Sequence, residues 1–124
     1  MDRLGYEPVS ELTPAEVEEA IARDRPEELL YAVISVALYA EDPIWAEDVC
    51  VRLAAHTHFN VRGNAILGFG HIARVHHQLT RERVQPIIEA AFADPDPYVR
   101  AHAEDAASDV SHFLGWSIRR SAPA

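Results

Sequence analysis

Apolar residues recur along this chain at three- and four-residue intervals, separated by short polar breaks, a spacing that belongs to helices and not to strands. Leu29, Leu30, Val33, Ile34, Ala37 and Leu38 predict one wide apolar face on a helix opened by Pro26. That helix reads as buried on two sides. Val61, Ala65, Phe69, Ile72 and Ala73 mark another such face on a helix over residues 60–78. Local start and stop signals supply the other elements. Thr13, Pro14 and Glu16 form a capping box for a first helix that runs to Arg23. Asp42-Pro43 opens a helix through Trp45, Val49, Val51, Leu53 and Ala54 toward His56. Thr80 is expected to cap a fifth helix through Val84, Ile87, Ile88 and Phe92, with Pro86 in its first two turns, where a missing donor costs least. Asp96-Pro97 opens a sixth helix to Leu114, Gly115 stops it, and Trp116 folds back over its end. Residues 1–12 are expected to form a leader over the first helix, and residues 117–124 to fray.

Two segments 38 residues apart carry the same pattern. In that register Val61 lies over Val99, Arg62 over Arg100, Ala65 over Ala103 and Ala55 over Ala93. A period near 40 residues is the mark of stacked helix pairs. The expected fold is therefore all-α: a short right-handed α-solenoid of three helix pairs in one domain. A divergent pair covers residues 14–40, a repeat 43–78, and a repeat with its C-terminal cap 80–115. Ile66 and Leu67 are replaced in register by Glu104 and Asp105, as expected if the fourth helix is covered and the sixth faces water. Gly63, Gly68 and Gly70 each cost a helix roughly 1 kcal/mol relative to alanine, so they predict close approach of neighbouring helices.

The stretch Val84 to Arg100, with its first helix, the Asp94-Pro95-Asp96-Pro97 turn and the Val99-Arg100 opening of a second helix, resembles the HEAT-repeat class of helix-pair solenoids. The resemblance covers residues 43–114 as two repeats. It implies that an aspartate of the turn pairs with the arginine of the following helix. His56 and His58 stand where the later repeat has Asp94 and Asp96, so Arg62 is expected to find its partner elsewhere.

Composition narrows the function more than the fold. The 124 residues are 48% hydrophobic and 25% charged, ordinary values for a globular protein, and no apolar run approaches 18 residues. No signal-peptide pattern is read at the start, so a cytoplasmic location and no membrane partner are expected. A net charge of -9 argues against nucleic acid, whose phosphates draw on clustered Lys and Arg. Cys50, the one cysteine, excludes an internal disulfide and reads as a small buried hydrophobe within Val49-Cys50-Val51.

Seven histidines invite a metal reading. His71, His102, Glu104, Asp105 and Asp109 fall on the fourth and sixth helices, with His71 in register with Asp109 and Asp105 spaced to share a face with both His102 and Asp109. A metal-dependent enzyme or metal carrier using His71, His102, Asp105 and Asp109 is accordingly the alternative reading, although no HExxH or other ligand spacing is present. His76 and His77 are expected to complement the negative end of their helix. Ser108, Ser111, Asp109 and His112 lie too close along one helix to form a relay. No glycine-rich loop follows a strand, so nucleotide binding has no support.

The surface remains. Glu16, Glu18, Glu19, Glu27, Glu28, Glu41, Asp42, Glu47, Asp48, Glu104, Asp105 and Asp109 predict a negative field that steers a basic partner. Short, acidic chains of this HEAT-like kind resemble bacterial toxin-immunity proteins. That resemblance implies a non-catalytic, cofactor-free inhibitor that occupies the basic cleft of a toxin, a nuclease among the candidates; the imperfectly capped solenoid ends leave monomer and homodimer both open. The expected contact lies on the second helices, at Asn64, His71, His102, Asp105 and Asp109.

Overall fold

Proline begins four helices of the chain, where its missing donor is unneeded and its fixed φ already suits the helix. The computed structural model describes residues 9–120. Among them are six helices and no strand: α1 Pro14–Arg23, α2 Pro26–Tyr39, α3 Pro43–Leu53, α4 Phe59–His76, α5 Arg81–Ala91 and α6 Pro97–Leu114. Capping is local and follows the sequence. Thr13 and Glu16 form the reciprocal box, and the carboxylates of Asp42 and Asp96 each accept from amides of the helix they open. Gly115 ends α6 at φ 72, and Trp116 folds back to 8% exposure while its carbonyl accepts from the Ser111 hydroxyl at 2.9 Å.

The second members of the pairs, α2, α4 and α6, stack side by side with α4 in the middle, and α4 also meets α3 and α5. This is the solenoid-like, all-helical arrangement. Val61, Phe69 and Ile72 of α4 are fully buried, together with Leu29, Val49, Ile88 and Val110 from other helices. Each such side chain contributes roughly 1.5–3 kcal/mol relative to exposure. Ile66 is buried while Glu104 and Asp105 face water, in line with their exchange between the repeats. Close approach explains the glycines of α4. A Cβ on Gly68 would stand 2.8 Å from Cys50 Sγ, and one on Gly70 would stand 2.5 Å from Asp109 Oδ2. Cys50 is fully buried, and burial followed by the charge of Glu47 pushes its thiol up to about 12, so it is a packing group.

Several expectations are corrected. α3 ends at Leu53, short of His56, and α4 spans Phe59–His76, not 60–78. Leu38 is 41% exposed, whereas Ala32, Ser35 and Val36 are buried: the buried stripe of α2 runs through Leu29, Ala32, Val33, Val36 and Ala37, and Leu38 falls beside it. Thr80 makes no side-chain cap; its amide instead donates to Glu47 Oε1 at 2.6 Å. His76 lies in the last turn of α4, and its Nε2 also reaches across to donate to the Ala40 carbonyl beyond the end of α2 at 3.0 Å. The described part of the leader bonds to α2: Ser10 to the Tyr31 hydroxyl at 2.8 Å and Leu12 to Ser35 Oγ at 2.9 Å. Residues 117–120 are tied down, with Ser117 O accepting from Gln85 and Arg119 N donating to Glu89. Residues 1–8 of the leader and 121–124 of the tail lie outside the described residues.

Along one edge, the turns between paired helices are joined in series. Arg62 reaches forward to Asp94 of the next turn in a two-pronged contact of 2.8 and 2.9 Å, and also donates to the carbonyls of His56 and Thr57 at 3.0 Å. Arg100, its register equivalent, reaches only the Asp94 carbonyl, at 2.7 Å. His56 reaches backward: its Nε2 donates to Asp24 at 2.8 Å, while its Nδ1 accepts the His58 amide at 3.0 Å. His58 Nδ1 accepts the Asn60 amide, so the histidines perform the acceptor roles that Asp94 and Asp96 perform in the later turn.

Two outcomes follow for stability. The Arg62 hydrogen bond holds the Asp94 carboxyl below its ordinary value of 3.8, so the pair stabilises the fold above that pH and the contribution fades as pH falls below it. Asp94→Asn should lower unfolding free energy by about 2 kcal/mol at neutral pH. In urea titrations the gap to wild type should stay constant above about pH 5 and narrow below about pH 4. Gly68→Ala should cost about 1–3 kcal/mol through its clash with Cys50, and a Cys50→Ala background should remove most of that loss in a double-mutant cycle.

Candidate partner-binding surface

The residues singled out from the sequence all lie on α4 and α6, but the structure sorts them into two levels. Asn64 and His102 occupy the first. Asn64 Nδ2 donates to the Asn60 carbonyl at 2.9 Å and to the Tyr98 hydroxyl at 2.8 Å. His102 Nδ1 donates to the Tyr98 carbonyl at 3.0 Å, and its ring lies against the Tyr98 ring with centroids 4.1 Å apart. Both side chains therefore hold Tyr98. Phe59 completes this level: it stacks on His58 at 5.1 Å and meets the edge of Tyr98 at 5.4 Å, and it is 40% exposed.

His71 and Asp109 occupy the second level, seven residues further along each helix, or about 10 Å. The packing of Asp109 against Gly70 brings it to the neighbourhood of His71, as the register predicted. His71 Nδ1 accepts from Arg74 at 2.9 Å. Burial, then the Arg74 charge, lowers the affinity of His71 for a proton, with Asp109 opposing. Asp105 is exposed between the two levels and makes no ion pair among the described residues.

This separation bears on the metal alternative. Among the described residues, no three His, Cys, Asp or Glu side chains converge where an ion could sit. His71, His102, Asp105 and Asp109 are divided between the levels, and one nitrogen of each histidine is already engaged. The ligand set of that alternative is not brought together among the described residues.

Pairing also redistributes the acidic field. On the face made by α1, α3 and α5, Arg52 grips Glu18 at 2.8 and 3.0 Å and lies 3.1 Å from Asp48. Trp45 Nε1 donates to Glu18 at 3.1 Å, and these bonds, the Arg52 one foremost, lower the Glu18 carboxyl. Arg83 bonds Asp48 at 2.8 Å and lies 3.6 Å from the buried Glu47. Glu28 is paired with Arg23 and Arg25, and Glu104 with Arg120. Glu19, Glu27, Glu41 and Asp105 remain exposed without an ion pair among the described residues.

Sequence reasoning missed Phe59 and Tyr98. The signal lay in the repeat alignment itself, where Phe59 stands over Pro97, an aromatic ring at a position that elsewhere carries proline.

Among the described residues, no helix is long and apolar enough to cross a membrane. No protein-family model and no curated protein matches the chain. A chain in the crystal structure of a CDI complex from Cupriavidus taiwanensis is similar, with a TM-score of 0.76 and 26% sequence identity. The alignment covers 90% of this chain and 98% of that one.

The environment of His71 sets a pH dependence. Its folded proton affinity lies below the ordinary value of 6.5, so the unfolded chain binds the proton first and stability falls as pH drops through and below 6.5. His71→Gln should remove that component, read as a smaller loss of urea midpoint between pH 7.5 and pH 5.5 than in wild type.

Proposed function

We propose that this chain is a non-catalytic immunity-type inhibitor that neutralises a bacterial protein toxin by binding it. The observation that carries the proposal is its likeness, over nearly the full length of both chains, to a component of a CDI complex, CDI denoting contact-dependent growth inhibition. At 26% identity the likeness extends past bare architecture. Two features of the molecule support the same reading. The net charge of -9 favours a basic partner, and exposed acids such as Asp105 are left without an ion pair among the described residues to meet it.

The mechanism is occlusion. Carboxylates stand where a substrate's anionic groups would bind, a nuclease being the natural target class, and the toxin's cleft is filled without any bond being made or broken. We assign the contact to the α4 and α6 surface around Asn64, His71, His102, Asp105 and Asp109. Asp105 supplies bare charge, Asp109 supplies charge near His71, and Asn64 and His102 act through the ring they hold.

A tagged full chain, used as bait in a lysate of its native organism, should retain one basic protein in stoichiometric amount at low salt and release it at high salt. Expression of that protein alone should stop growth in a test host, and co-expression with this chain should restore it. A captured protein that is harmless when expressed alone would remove the immunity reading.

A further inference from the structure

Four of the six helices open on proline, α5 opens on the exposed Arg81, and α4 alone opens on a large aromatic residue, Phe59. The first helical position gains nothing from a phenyl ring, and this one leaves 40% of its surface in water. The edge contact with Tyr98 contributes to folding, but the part of the ring left in water is open to a partner.

The ring is held in one place. His58 stacks beside it with planes 17° apart, and Tyr98 meets it edge-on at 89°. Tyr98 is fixed in turn by the Asn64 amide on its hydroxyl and the His102 ring behind it. An exposed aromatic residue that is already ordered loses little entropy when a partner covers it, which is the profile of an interface anchor. Beside it runs a shallow cleft lined by Thr57, His58, Phe59, Arg62, Pro95 and Asp96.

Charge selects the occupant. Arg62, the cation in the cleft wall, is neutralised by its two bonds to Asp94. Asp96 uses Oδ1 to accept the Tyr98 amide at 2.8 Å, and its carboxylate makes no ion pair among the described residues. An aromatic ring next to an unpaired carboxylate suits a guanidinium, which takes cation–π attraction from the one and a charge-assisted hydrogen bond from the other. Resting on the immunity reading above, we infer that Phe59 anchors the toxin, and that the segment docked there carries an arginine placed over the Phe59 ring and against Asp96.

The test uses the full-length chain and the purified growth-inhibiting protein captured by it, with affinities measured by calorimetry. Thermal melts followed by circular dichroism establish that each variant is folded. Phe59→Ala should weaken binding at least about 30-fold, while Phe59→Trp should stay within about 3-fold of wild type because it keeps the π face. Asp96→Asn keeps the helix cap but removes the charge, and should weaken binding about tenfold at low salt with little effect at high salt. Ile44→Ala, at a residue 69% exposed in the first turn of α3, serves as the control and should bind as wild type does. Wild-type affinity in Phe59→Ala, or a greater loss in Ile44→Ala, would overturn the anchor while leaving the immunity reading in place. Failure of the wild-type chain to bind any growth-inhibiting protein would overturn both.

Discussion

The contact between Arg62 and Asp94 joins the last two helix pairs where it is hardest to join them, at their polar turns. Apolar packing holds α4 to α6 along their length, but it is indifferent to small rotations at the ends. A guanidinium held by two carboxylate oxygens is not, since both bonds require one mutual orientation. Both side chains are largely withdrawn from water, 17% and 12% exposed, so losing either would strand the other. The N-terminal ends of α4 and α6, which carry Phe59 and Tyr98, are positioned by this pair.

The arginines pair with only part of the acid. Arg52 and Arg83 bind Glu18 of α1 and Glu47 and Asp48 of α3, so the middle of that face is largely paired although it is dense in charge. Arg62 is spent inside the turn edge. Acids left without an ion pair among the described residues are spread over several helices, Glu19 of α1, Glu27 of α2 and Asp105 of α6 among them, and the surface formed by α4 and α6 sets fixed rings beside one such carboxylate. A formal charge of -9 spread evenly would steer a basic partner without orienting it.

What the sequence made legible is what depends on neighbours within four residues. Thr13, Asp42, Asp96 and Gly115 cap by reaching along the chain, and each did so in the structure. The apolar face of α4 was equally plain, because a helix in the middle of the stack buries its stripe whatever surrounds it. Side chains whose role depends on a partner some 30 residues away were not legible. Leu38 and Val36 are equally apolar in sequence, and only the packing of α2 decides which is buried. Asn64 and His102 were read as free contact groups, whereas their polar atoms are engaged in holding Tyr98. The absence of an aspartate at positions 56 and 58 foretold that Arg62 would look elsewhere, without saying that it would look forward.

The glycines of α4 carry one more consequence. Tyr98 lies over Gly63, and Asp109 lies over Gly70. A slide of α6 by one helical turn along α4 would set those two bulky groups against Leu67 and Arg74, where a Cβ and more already fill the space. The two absent side chains therefore act like the notches of a key, admitting one lengthwise alignment of the helices and rejecting its neighbours. α4 is in this sense a ruler: it measures where the aromatic rings of the next helix must stop.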